Sequence, residues 1–153
     1  MRRLTLLLLM VVLAACGTQA GAPGQPCTGI GTPVGIGVQI APAVAARFMD
    51  TTSLDACWNG SCHTYQVQLH AATAAAETSC TGTGPDDACT AHMRETGGKT
   101  GFATIPDLPA APVQATFAGE TVTVTPKLLY PNGPTCGGGG PQASLTVDET
   151  GVR

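Results

Sequence analysis

Seven cysteines and three histidines stand in this 153-residue chain, and these are the residue types that bind metals, attach haem or close disulfides. The stretch CWNGSCH, residues 57–63, holds three of them together. Covalent haem attachment needs C-x-x-C-H, but four residues lie between Cys57 and Cys62, which excludes it. A metal site needs converging ligands. Strand alternation puts His63 on the apolar side and His70 on the opposite one, and no H-E-x-x-H pair exists. Gly98-Lys99-Thr100 ends like a phosphate-binding loop, yet Met93 stands where the motif requires glycine, so a turn is expected there. Asp86-Asp87 lacks the alternating oxygen ligands of a calcium loop and reads as a solvated turn. There is no G-x-S-x-G, and Ser61 merely flanks a turn. Disulfide chemistry is what remains.

Asn59-Gly60 is the preferred pair for a two-residue type I′ turn, because both central positions need φ > 0. Trp58 and Ser61 then flank the turn, and Cys57 faces Cys62 at the next, non-hydrogen-bonded position, where Cα atoms approach to about 4.5 Å. That distance suits a disulfide. Polarity selects the same register: Leu54, Ala56, Trp58, Tyr65, Val67 and Leu69 share one face, while Asp55, Thr64, Gln66 and Gln68 share the other with the two cysteines. Cys80 and Cys89 bracket a Gly-Pro-Asp-Asp loop that a second bridge would close. Cys27 is then left for Cys136, although six cysteines allow 15 connectivities.

Cys16 is left over, and the N-terminus accounts for it. Arg2 and Arg3, an apolar run from Leu4 to Leu13 broken only by Thr5, and small Ala14 and Ala15 have the layout of an export signal. The run is too short for a membrane span, which needs about 20 apolar residues. Leu13-Ala14-Ala15-Cys16 resembles the lipobox of bacterial lipoproteins. The resemblance implies cleavage before Cys16 and a thioether-linked diacylglycerol on it. It also implies a place at the extracytoplasmic face of the cell membrane, where disulfides persist.

The elements that would hold these groups follow from period-two alternation. Val34, Ile36, Val38 and Ile40 alternate with small or polar residues, as do Val113, Ala115 and Phe117, Val122 and Val124, and Leu145 and Val147. Such runs between Gly, Pro and Asn clusters describe half-buried strands. The expected organisation is a signal peptide over 1–15, a lipidated Cys16 and flexible tether over 16–26, and an all-β domain over 27–153. The domain reads as a small disulfide-linked sandwich, immunoglobulin-like or transthyretin-like; the segment GFATIPDLPAAPVQATFAG resembles the latter. Helix is weakly supported at 71–76, which lacks an apolar face, and at 89–96, where a turn or two would fit. The glycines at 137–140 read as slack in a connection.

Loss of Arg2 and Arg3 leaves a net charge of about −5, and an acidic surface argues against nucleic acid or anionic lipid headgroups as partners, so that membrane attachment must come from the lipid and not from charge. Composition and lipobox together resemble actinobacterial lipoproteins carrying a small β-sandwich. The leading expectation is a non-catalytic binding or structural module with a protein or cell-wall partner, no cofactor, and attachment to the membrane through its lipid. One alternative is a small extracytoplasmic hydrolase or metal-dependent enzyme using His63 or His92 with Asp86 or Asp87. The other is an inhibitor or accessory subunit presenting the 80–89 or 131–141 loop.

Overall fold

The computed structural model describes residues 27–29, 31–84 and 87–153. The signal segment, Cys16, the tether and Asp86 therefore lie outside the described residues. In chain order the elements are β1 (Gly35–Ile40), α1 (Pro42–Ala45), β2 (Thr51–Trp58), β3 (Ser61–Cys80), β4 (Cys89–Thr104), β5 (Val113–Phe117), β6 (Glu120–Val124), β7 (Lys127–Leu129), a 3₁₀ turn (Pro134–Cys136), β8 (Gly140–Asp148) and β9 (Gly151–Val152). The domain is all-β, with three disulfides, as the alternation and the cysteine count imply.

One nine-stranded sheet runs β6-β5-β2-β3-β4-β1-β8-β7, with β9 also on β8. Neighbours are antiparallel except β1 and β8, which run parallel from Gly35 opposite Gln142 to Ile40 opposite Val147. The sheet curls until its ends nearly meet, where the Val152 N–H donates to Glu120 Oε2 at 3.2 Å. The residues that alternate in sequence line the inside: Ile36, Val38, Leu54, Ala56, Val67, Ala115 and Leu145 are fully buried, and Val113 and Phe117 nearly so. Burying such side chains stabilises the fold by about 1.5–3 kcal/mol each for Val, Leu, Ile and Phe. One end of the core is closed by Val44 and Ala45 of α1 and by Phe48, whose ring stacks on Phe117 at 5.7 Å.

The CWNGSC hairpin folds in the register that its turn chemistry dictates. Asn59 has φ 51° and Gly60 φ 78°. Trp58 pairs with Ser61 and Cys57 with Cys62, whose Cα atoms are 4.1 Å apart. Val67 and Leu69 are buried, Gln66 and Gln68 exposed. The outer face carries a hydrogen bond from Thr64 Oγ1 to Asp55 Oδ1 at 2.6 Å.

Register defines two ends of the molecule. At the near end, Gly35 of β1 lies between Thr104 and Gln142, and residues 27–29 and 31–33, β7 and the start of β8 gather there. Cys27 is bridged to Cys136 at this end. At the far end, Ile40 lies between Lys99 and Val147. Beyond it, β3 and β4 continue as a two-stranded ribbon that pairs as far as Cys80 opposite Cys89.

That ribbon corrects three expectations. Residues 71–76 and 89–96 are strand, not helix. Alanine's helical preference is a weak prior, and here the chain extends strands already set by the sheet, with the Cys80–Cys89 bridge joining their ends. Gly98-Lys99-Thr100 is not a turn; it is the part of β4 that pairs with Gln39 and Ile40. Lys99 Nζ there donates to the Phe48 carbonyl at 2.7 Å and to Asp50 Oδ1 at 2.9 Å.

Candidate functional site

A strand of 20 residues is far longer than the usual five or six, and the excess is the ribbon. From Ala72 to Cys80 it projects roughly 30 Å at strand rise. Almost every residue in it is exposed, with only Ala72 and Ala74 half-covered. Among the described residues, β3 beyond Leu69 pairs with nothing but β4, and β4 before Lys99 pairs with nothing but β3. Both edges therefore present backbone N–H and C=O groups to solvent, a template for further strand pairing.

The two edges differ in character. On β4, His92, Arg94 and Glu95 place charges along the strand. On β3, the run Ala71-Ala72-Thr73-Ala74-Ala75-Ala76 carries none, and nothing in it is proline. Natural edges are usually blunted by charge or proline, so the β3 edge is the more receptive of the two. Two β-bulges, between Ala71 and Thr73 and between Ala75 and Glu77, bend the ribbon. The first is tied by Thr96 Oγ1 donating to the Ala72 carbonyl at 3.0 Å. At the root, an open groove of about 470 Å³ lies between the ribbon and the end of β1, lined among others by Gln39, Pro42, Thr73, Thr96 and Lys99.

The root is fixed electrostatically. The Lys99 hydrogen bond and charge hold the Asp50 carboxyl below the usual carboxylate range, and the ion pair ties the turn before β2 to β4. At the tip, the Asp87 carboxylate accepts the Gly84 N–H at 2.5 Å while the Asp87 N–H bonds the Gly84 carbonyl. Asp87 therefore closes its own turn. The described tip residues, Thr81, Gly82, Thr83, Gly84, Asp87 and Ala88, form no apolar knob of the kind an inhibitor loop inserts into a pocket.

The other residues singled out in the sequence are scattered. His63 is exposed near the hairpin turn, its ring 6.1 Å from Trp58. His70 lies at the root of the ribbon, opposite Thr100, and His92 is in the ribbon, opposite Glu77. His63 and Asp87 thus sit toward opposite ends of β3, and the enzyme pairing that joins them has no common site. Among the described residues, no three His, Cys, Asp or Glu side chains come together in a way that could hold a metal ion. The 131–141 loop lies at the near end, next to Cys27; three of its glycines, 133, 137 and 138, have positive φ, the conformation that glycine adopts without steric cost. Sequence reasoning missed the ribbon, whose only trace was the unusual spacing of a charge-free alanine run before Cys80.

No family model, no curated protein and no solved structure matches the chain. Among the described residues, no helix is long and apolar enough to cross a membrane.

Proposed function

We propose that this protein is a lipid-anchored, extracytoplasmic, non-catalytic binding module whose ribbon takes an extended strand from a partner protein. The observation that carries the reading is the charge-free and proline-free run 71–76 on the β3 edge, held away from the core on a ribbon with a disulfide at its end. Strand addition uses main-chain hydrogen bonds for affinity and side-chain contacts for specificity. The groove at the root supplies a place for those contacts. The anchor half of the reading rests on Leu13-Ala14-Ala15-Cys16 and on three disulfides, which belong to an oxidising compartment. The ribbon leaves the end of the sheet opposite Cys27, so a lipid on Cys16 tethers the other end of the domain and leaves the ribbon free to reach away from the membrane.

The test is a pair of variants in the native host. Cys16→Ser should move the folded protein from the membrane to the soluble fraction, with partner capture intact. Ala75→Lys combined with Thr78→Lys should stay in the membrane fraction but lose the partner that chemical crosslinking recovers with the wild type. Equal recovery by the lysine variant would remove the ribbon from the reading. A Cys16→Ser product that remains membrane-bound after signal removal would remove the lipid.

A further inference from the structure

We infer that the near end of the domain carries a second contact with the bilayer, made by Leu128, Leu129 and Tyr130, which settle into the lipid interface that holds the acyl chains of Cys16. This inference rests on the lipid-anchor reading and adds to it a fixed orientation.

The three side chains are consecutive, and 47%, 44% and 41% of their respective surfaces are exposed. Among the described residues, Met49 before β2 and Met93 on the ribbon are large hydrophobic side chains with still greater exposure, each at a separate place in the chain. Leu129 and Tyr130 line one cleft, and Leu128, the strand neighbour of Leu129, faces the other side of the same edge, so apolar side chains rim this edge on both faces. The group is held in place. Leu129 pairs with Gly140, and its carbonyl accepts the Thr32 hydroxyl at 3.3 Å. The Tyr130 carbonyl accepts the Gly133 N–H at 3.0 Å. The tyrosine ring lies against Gly139, where a Cβ would come within 2.6 Å of Cε1. Glycine at 139 is what lets the ring sit there.

Position identifies the occupant. The patch shares a cleft with Gly31, Thr32 and Pro33, and Thr28 is tied to it through Asn132, whose Nδ2 donates to the Thr28 carbonyl at 3.0 Å. The chain outside the structure thus joins the domain beside these residues, at Cys27. Residues 17–26 are all that separates Cys27 from Cys16, and even fully extended they reach no more than about 40 Å. The lipid therefore confines this end to within about 40 Å of the membrane, a limit that the ribbon tip, at the opposite end of the sheet, does not share. The residue types fit the interface: leucine enters the acyl boundary, tyrosine sits at headgroup level, and exposed Lys127 can lay its stem along the apolar surface with its ammonium among the headgroups. With an acidic chain and one lysine in the patch, contact depends on apolar burial, so it should be insensitive to salt.

Hydrogen exchange on the lipidated full-length mature protein in phosphatidylethanolamine–phosphatidylglycerol vesicles tests this, with the unlipidated Cys16→Ser protein as the free reference. Amides of Leu128, Leu129 and Tyr130 should exchange severalfold more slowly on vesicles, at low and at high salt, while those of 74–80 in the ribbon exchange alike in both. Equal exchange at 128–130 in the two forms overturns the inference. Slow exchange in the Cys16→Ser protein that deepens with its concentration also overturns it, since a second copy would then be the occupant. Replacing Leu128, Leu129 and Tyr130 by serine in the lipidated chain should abolish the difference but leave the protein on vesicles. Unchanged protection at Val38 and Leu145 in that variant shows that the fold persists. Absence of lipid on Cys16 by mass is the separate result that removes the anchor reading, and it is read independently of exchange at the patch.

Discussion

Gly60 shows how one residue can set a register. Its φ of 78° lies in the region that L side chains avoid, yet a Cβ there would meet nothing within 4 Å. The demand is therefore conformational and not steric. Gly60→Val should cost about 1–3 kcal/mol, the usual range for a bulky residue held at positive φ, read as a lowered denaturant midpoint. Gly60→Asn should cost far less, since asparagine tolerates this conformation. Equal losses for the two would mean that space, not backbone angle, selects glycine. Asp148 is a second single-residue control. Its carboxylate accepts the Thr150 N–H at 2.8 Å and the Thr150 hydroxyl at 2.6 Å, and pairs with Arg153. These bonds lower its pKa from 3.8 to about 2. A depressed carboxyl contributes stability above its unfolded pKa and loses it as pH falls toward the folded value. The β8–β9 hairpin should accordingly hold above about pH 4 and loosen between pH 4 and 2. Amide shifts of Thr150 to Arg153 followed down that range check this, and Asp148→Asn should flatten the response.

At the scale of elements, what could be read from the sequence is what is half-buried. β1, β5 and the middle of β8 alternate because one face meets the core, and Val38, Ala115 and Leu145 are fully buried where the alternation puts them. The β2–β3 hairpin was legible twice over, since turn chemistry and face polarity are independent and agree. The ribbon was not legible. Period-two patterning records a difference between two faces, and a ribbon exposed on both has none. The run 71–76 therefore looks like helix-prone alanine with no apolar side. β7 escaped for a related reason: three residues with Leu128 and Leu129 both exposed give neither period. The two proposed surfaces lie on the two elements that patterning could not see. Contact surfaces on small β domains follow this rule when the partner, and not the domain's own core, is what covers the side chains.

On the scale of the whole molecule, the three disulfides divide into two kinds. Cys57–Cys62 and Cys80–Cys89 join residues 5 and 9 positions apart; each pins a hairpin that its strands already define. Cys27–Cys136 spans 109 positions and joins the start of the domain to the loop before β8, beside the parallel pairing of β1 with β8. Loop-closure entropy grows with the logarithm of loop length, which gives about 4–5 kcal/mol for the long bridge against about 2 kcal/mol for the shortest. Serine at both Cys27 and Cys136 should therefore lower stability about twice as much as serine at both Cys57 and Cys62, measured by denaturant unfolding. The loss should have a local side as well. With the bridge gone, hydrogen bonds such as Gln142 Nε2 to the Pro33 carbonyl at 2.5 Å and Asn132 Nδ2 to the Thr28 carbonyl remain to tie residues 27–29 and 31–33 to the near end. Exchange at 128–133 should rise before global unfolding, while the ribbon, sealed by its own bridge, keeps its native rates. If both ends loosen together, the molecule responds as one unit and the separation of an anchoring end from a binding end fails.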